Sequence, residues 1–405
     1  MAEEAKKAPN LRFRGFADDW EQRKLGEVGS VVMCKRIFKD QTTAFGDIPF
    51  YKIGTFGGSP DSFIPNELFE EYKKNYPYPE IGDILMSASG TIGRTVVYEG
   101  EKAYYQDSNI VWLKTDKSLI DNSFLKQFYQ VVKWSGLEGS TIKRLYNSNI
   151  LSTVINLPSL KEQTKLGIFF NQLDNTIALH QRKLTLLEQL KQAYLQQMFP
   201  NNGENVPALR IAGFTEHWEE RRLGDVSERV RGNDGRMNLP TLTISAGSGW
   251  LDQRERFSGN IAGNEQQNYT LLSNGELSYN HGNSKLAKYG AVFTLRTFKE
   301  ALVPRVYHSF RTNYFATADF IEFMFATKRP DSELAKLVSS GARMDGLLNI
   351  NYDDFMGINI IIPKIEEQNR ISNFLSRFDD TITIHRQKVS QLQALKNTLL
   401  KKMFI

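Results

Sequence analysis

Residues 9 to 28, PNLRFRGFADDWEQRKLGEV, return as residues 207 to 226, PALRIAGFTEHWEERRLGDV, identical at 11 of 20 positions with a constant offset of 198. A segment written twice implies a unit built twice, so this repeat decides the architecture before any single motif does. Gly15/Gly213, Phe16/Phe214, Trp20/Trp218, Glu21/Glu219, Leu25/Leu223 and Gly26/Gly224 are among the shared residues. Further out, residues 155 to 200 and 360 to 405 agree at 16 of 46 positions. The stretches between, 29 to 154 and 227 to 359, barely align. The chain reads as two copies of one unit, each with a short lead, a variable body and a long tail. A framework held constant around a diverging middle separates a scaffold from a surface that varies.

Both tails read as long helices. Pro158 and Pro363 stand where a helix can start, and Glu162-Gln163 and Glu367-Gln368 place acids in or near the first turn, facing the positive helix terminus. Alternating spacings of four and three then pick out Leu173, Ile177, His180, Leu184, Leu187, Lys191, Tyr194 and Met198, and in the other copy Phe378, Ile382, His385, Val389, Leu392, Lys396, Leu399 and Met403. This is a heptad seam, and roughly 40 residues at ~1.5 Å each make a rod of about 60 Å. Two such rods separated by a body are expected to pair antiparallel with pseudo-twofold symmetry, a body at each end. The polar residues His180/His385 and Lys191/Lys396 fit register-setting or snorkelling better than a metal or proton role, since both copies carry them.

Within the bodies, strand-like runs at 30–33, 95–100, 109–114, 291–295 and 357–363 alternate with glycine-rich turns and with helical stretches at 121–133 and 317–328. The expected fold is therefore mixed α/β (α+β), with two globular domains joined by two long antiparallel helices forming a coiled-coil spacer, and an internal pseudo-twofold repeat. Boundaries fall at 1–155 for the first domain, 156–205 for the central helix, 206–360 for the second domain and 361–405 for the C-terminal helix.

Composition narrows the function. Of 405 residues, 40% are hydrophobic and 24% charged, the proportions of a globular protein. No apolar run reaches the ~18 to 20 residues that span a bilayer, and MAEEAKKAPN leads into no apolar h-region, so cytoplasm is expected. One cysteine, Cys34, and five scattered histidines offer neither an internal disulfide nor zinc-site spacing. Net charge is only +5, and residues 1 to 155 hold 20 basic and 20 acidic side chains, so any contact with a polyanion must run through local patches.

Enzymatic signatures are scarce. There is no Gly-Lys dipeptide for a P-loop, no GxGxxG opening a helix and no GxSxG elbow. Pro60-Asp61 followed by Glu71-Tyr72-Lys73 has the spacing of a PD...ExK metal-dependent nuclease, but a solvated turn and helix explain it as well, and the second unit has no equivalent. A protein-interaction scaffold is the other alternative; it would lack salt-dependent binding to duplex DNA. Neither a catalytic nor a metal-binding residue is assigned.

Small polar and basic loops are what the bodies do contain. In the first, the stretch from Gly82 to Arg94 supplies Ser87, Ser89, Gly90, Thr91 and Arg94, hydroxyls and a guanidinium on a turn where glycine permits close approach to a phosphate or base edge. Residues 139 to 147 add Lys143, Arg144, Tyr146 and Asn147. Comparably placed in the second body are Tyr279, Asn280, His281, Asn283 and Lys285, and then Arg343. The same stretches would also serve as plain hairpin connections. Similar placement with different side chains suits two bodies that read different sequences.

The leads Trp20-Glu21 to Leu25-Gly26 and Trp218-Glu219 to Leu223-Gly224, the Gly82-Asp83-Ile84-Leu85 loop with Gly90 and Gly93, and the Pro-x-x-x-Glu-Gln opening of both tails together resemble the DNA-specificity subunits of type I restriction-modification systems. The likeness covers essentially the whole chain. It implies two target-recognition domains, each reading half of a bipartite site in double-stranded DNA, and a helical spacer that sets their separation. It further implies a non-catalytic subunit without cofactor of its own. Two modification subunits would carry S-adenosylmethionine and methylate adenine, while restriction subunits would use ATP and Mg to translocate and cleave. Gly275-Glu276-Leu277-Ser278 stands where the second body should carry the glycine loop, a departure from the pattern.

Overall fold

The structure, a computed structural model, describes residues 8 to 134, 144 to 257, 263 to 338 and 347 to 404. It divides into two compact units, one of residues up to 181 together with 387 onward, the other of residues 182 to 386. Each unit thus holds a lead, a body, the start of its own tail helix and the end of the other.

In the first unit the lead strand Glu21–Lys24 pairs antiparallel with Val154–Leu157, just before the tail. A four-stranded antiparallel sheet follows the order Gly29–Val32, Ile110–Thr115, Ile84–Ser87, Thr95–Val97. A smaller sheet joins Phe63–Ile64, Ile48–Tyr51 and Tyr104–Tyr105. From Ile110 to Leu113 every residue is buried, because the sheet is covered on both faces. Met86, Val111 and Leu113 join Trp20, Phe124 and Phe170 on one side, and Leu85, Ile110 and Trp112 join Phe50, Phe69 and Tyr104 on the other. A continuous apolar run rather than an alternating one is the sequence signature of that arrangement.

The second unit repeats the plan with other side chains. Its four-stranded sheet runs Ser227–Arg229, His308–Thr312, Leu277–Asn280, Ala291–Thr294, and its lead strand Glu219–Arg222 pairs with Asn359–Ile362. Two further antiparallel pairs join Leu242–Ser245 to Gly249–Asp252 and Thr270–Ser273 to Glu300–Val303. Where the first sheet sets Leu85 opposite Trp112, this one sets Ser278 opposite Ser309, with their hydroxyls 2.8 Å apart. One backbone plan therefore carries two unalignable bodies.

The tails form helices Leu160–Gln197 and Ile365–Met403, each starting two residues after its proline. Their Glu-Gln openings do more than face a helix dipole. Arg12 donates through Nε and Nη2 to the buried carboxylate of Glu162 at 2.7 Å each, and Arg210 does the same to Glu367 at 2.8 Å each. Gln163 accepts from the Asp121 amide and donates to the carbonyls of Leu119 and Pro158. Gln368 accepts from Thr317 and donates to Phe315 and Pro363. The motif thus ties the lead, a body helix and the tail into one corner in each unit.

Each lead also closes over the end of the other tail. Trp20 meets Phe124 and Phe404 edge-on at 5.9 and 6.3 Å, as Trp218 meets Phe199 at 5.9 Å and, tilted, Phe320 at 5.6 Å. The Leu11 amide donates to the Lys402 carbonyl at 2.9 Å, and that of Leu209 to Gln197 at 2.8 Å. Along the seam Ile177, Ile382, His385, Val389, Met198 and Met403 are buried and the other positions half-buried. Its lysines form ion pairs, Lys396 with Asp174 in the first unit and Lys191 with Asp379 in the second. Within the second unit Glu188 pairs with Arg386 and Tyr194 packs on Phe374, so the helices run antiparallel there. Among the described residues no helix is long and apolar enough to cross a membrane.

Candidate nucleic-acid interface

The site begins with the turn into the third strand of each four-stranded sheet. Gly82, at φ +92°, donates to the Tyr98 carbonyl, Tyr98 returns a bond to Asp83, and the Asp83 carboxylate accepts from the Glu80 amide at 2.8 Å. Gly275, at φ +86°, repeats the set: it donates to Leu295, which returns a bond to Glu276, whose carboxylate accepts from Ser273 at 2.8 Å. Only glycine adopts that backbone readily. Gly275-Glu276-Leu277-Ser278 is therefore the same turn with glutamate for aspartate. Burial raises the carboxyl pKa of Asp83 above the usual range, as expected for a group that frames a strand.

At the far end of that strand the first unit brings its two candidate loops together. Ser87 exchanges backbone bonds with Arg94 and Gly93, and its hydroxyl accepts from the Arg94 amide and donates to the Thr91 carbonyl. The Leu145 amide then donates to the Ala88 carbonyl at 2.8 Å, and Ser89 faces Arg144 across an antiparallel bridge. Buried Ser89 donates to the Asn109 side chain at 2.6 Å. Ser87 and Ser89 thus shape the edge with hydroxyls already engaged. Gly90, Thr91, Arg94, Arg144, Tyr146 and Asn147 are exposed on it. Arg94 donates through Nη1 to the Phe56 carbonyl at 2.8 Å, which fixes the direction of its guanidinium. Lys143 lies outside the described residues.

The second unit builds the equivalent edge. Leu348 donates to the His281 carbonyl at 2.9 Å, and Gly282 bridges to Leu347. Asn280 accepts from the Gly282 amide and donates to the Ile244 carbonyl, so it organises the turn. The chain returns close over the strand end at Gly290, where a Cβ would lie 2.5 Å from the Asn280 carbonyl oxygen. Tyr279 is fully buried, flat against Phe355 at 4.2 Å, with its hydroxyl on the Tyr289 carbonyl. His281 is buried as well, whereas Asn283 and Lys285 are exposed. Arg343 lies outside the described residues.

Sequence reasoning missed Asn109, which holds Ser89, and exposed Arg305, whose turn supplies the Val306 carbonyl bonded to His281. Both reach the edge through contacts distant in sequence, and no spacing announces them. The nuclease-like residues find other employment. Asp61 pairs with Lys52 at 2.8 Å, Glu71 rides on helix Asn66–Asn75, and Lys73 sits over the rings of Phe69 and Tyr78. Among the described residues no group of three or more His, Cys, Asp or Glu side chains could hold a metal ion.

The family model described as type I restriction modification DNA specificity domain matches residues 17–189 and 305–394. A Haemophilus influenzae protein named as a type I restriction enzyme specificity subunit is 60% identical over 142 residues, 35% of this chain and 37% of that protein, so the match spans about a third of either length. A Methanocaldococcus jannaschii protein named as the MjaX specificity subunit is 23% identical over 95% of this chain and 92% of its own. The crystal structure of the S subunit of a type I restriction-modification system from M. genitalium superposes with a TM-score of 0.63 at 14% identity, covering 98% of this chain and 99% of that one.

Proposed function

We propose that this chain, which belongs to the type I restriction modification DNA specificity family, is the DNA-recognition subunit of such a system and reads a bipartite duplex site, one half per unit. The observation that carries the reading is the repeated edge. At the end of the same strand, the same backbone bond, Leu145 to Ala88 or Leu348 to His281, joins two loops whose exposed side chains differ. Equal geometry with unequal chemistry is what two half-sites of different sequence require. In the first unit Arg94, Arg144, Tyr146, Asn147 and Thr91 contact DNA, with Lys143 on the same loop, while Ser87, Ser89 and Gly90 set the loop's shape. In the second, Asn283, Lys285 and Arg343 contact DNA, and Tyr279, Asn280 and His281 support them.

The domains 1–155 and 206–360 are the reading modules, and 156–205 and 361–405 are the spacer between them. Catalysis belongs to partners in this reading. Two modification subunits bring S-adenosylmethionine and methylate adenine, restriction subunits bring ATP and Mg, and the assembly works in the cytoplasm.

The test exchanges residues 29 to 154 for the body of a relative and maps methylated adenines in a host that also makes the modification subunits. One half of the methylated motif should change and the other stay. Change in both halves together, or in neither, would refute the division of labour.

A further inference from the structure

We propose that His281 is the positioning residue of the second unit's reading edge: its ring carries a proton on each nitrogen and clamps two segments by donating to a backbone carbonyl in each. Nδ1 lies 2.6 Å from the Leu348 oxygen and Nε2 lies 3.0 Å from the Val306 oxygen. Neither oxygen can donate. A neutral imidazole has one N–H, so one of these contacts would press a bare nitrogen lone pair against a carbonyl lone pair. The imidazolium has a proton for both, and bonds from a charged donor are roughly twice as strong as neutral ones. Leu348 follows the bridge partner of Gly282, and Val306 shares a turn with exposed Arg305. One buried ring thereby fixes the loop of Asn283 and Lys285, the segment around Leu348 and the turn of Arg305 relative to one another.

The surroundings suit a single charge at this ring. His308, from the neighbouring strand, stacks nearly parallel to it at 5.0 Å and places Nε2 2.9 Å from the Ile350 carbonyl. Burial, with His281 and Arg229 nearby, holds the His308 pKa down at about 4, so it is the neutral member of the pair. Arg229 lies over the Tyr352 ring at 4.0 Å, and Tyr352 meets His308 edge-on at 5.7 Å. Tyr279 flanks both imidazoles, with Asp331 acting on it from a nearby helix. Burial raises both phenol pKa values, which keeps them neutral. In the first unit the equivalent residue is Ala88, whose carbonyl accepts the same bond from Leu145 without a ring beside it. A clamp on two carbonyls is therefore built into the second edge and not into the first.

This inference rests on the loops contacting DNA, and the test has one arm that does not. In the full chain labelled with 15N-histidine, with signals assigned by substituting the other four histidines singly, both ring nitrogens of His281 should carry protons at neutral pH. A bare nitrogen on His281 there overturns the clamp, whatever the chain binds. The second arm uses the chain assembled with its modification subunits and duplexes altered at one base of either half-site. Replacing His281 with glutamine should lower discrimination at the second half-site roughly tenfold, the worth of one charge-assisted hydrogen bond. Discrimination at the first half-site should stay flat. The amide of that glutamine donates from one nitrogen, which cannot serve both carbonyls. An equal loss at both half-sites, or unchanged discrimination in His281→Gln, overturns the proposal. Should that variant not fold, the ring signals of the unaltered chain decide. Absence of discrimination at either half-site in the unaltered chain would refute the DNA reading instead.

Discussion

Replacing Arg210 with alanine removes both side-chain donors from a carboxylate, that of Glu367, which is 2% exposed. Breaking one side of a buried ion pair costs about 3–5 kcal/mol, most of it for the charge left behind. Glu367 lies in the first turn of Ile365–Met403, where the helix terminus returns up to about 1–2 kcal/mol. The net loss is about 2–3 kcal/mol, or roughly 30- to 150-fold in the folding equilibrium of the second unit. Arg210→Ala/Glu367→Ala should be more stable than Arg210→Ala alone, because the stranded charge is gone. Arg210→Lys should recover little, since lysine cannot reproduce the two parallel bonds. Urea denaturation gives the energies, and hydrogen exchange read by mass spectrometry shows which unit loosens. A coupling energy below about 0.5 kcal/mol in the double-mutant cycle, or equal loss of protection in both units, would show that the bidentate pair does not hold this corner.

Phe404→Ala empties a site between Phe124, Trp20 and Phe170 and should destabilise the first unit by about 3–5 kcal/mol, as Phe199→Ala should the second; unit-resolved hydrogen exchange checks the assignment. Arg94→Ala or Arg144→Ala should relax the methylation motif in one half only, and Lys285→Ala in the other, by about 1–3 kcal/mol where a base edge is read. Sequencing of methylated sites decides it, since a phosphate contact would instead weaken all sequences alike. His308 titrates at about 4 when folded against about 6.5 unfolded, so the unfolded chain binds the extra proton between those values. Its stabilisation is present above pH about 6.5 and is lost as pH falls toward about 4, by up to roughly 3 kcal/mol. His308→Gln should flatten that slope in urea melts taken across the interval.

How much the sequence disclosed follows the physics of each element. The tails were legible because a heptad seam leaves a periodic trace, and Pro158 and Pro363 mark the starts to within two residues. The run from Ile110 to Leu113 announced a strand but not its place in the sheet, since pairing with Ile84–Ser87 and Gly29–Val32 is a long-range choice. Charge and placement singled out the loops as candidates but not their meeting at one strand end, and composition could not tell Tyr279 and His281, which are buried, from Asn283 and Lys285, which are exposed. Glu162 and Glu367 show a further limit. Their position at a helix start suffices to explain an acid, and nothing local reveals that Arg12 and Arg210 approach from 150 and 157 residues away.

The bond from Leu11 to Lys402 has the same form as that from Leu209 to Gln197. In the second case eleven residues of backbone, 198 to 208, connect the two partners; in the first, only the fold does. Each unit thus carries the same joint between a lead and the end of a tail, continuous in the backbone of one and closed by packing in the other. A peptide like residues 200 to 206 joining residue 404 to residue 9, with new ends opened in the existing connection, would give the same units in permuted order, every lead still seated between the tail it starts and the tail it closes.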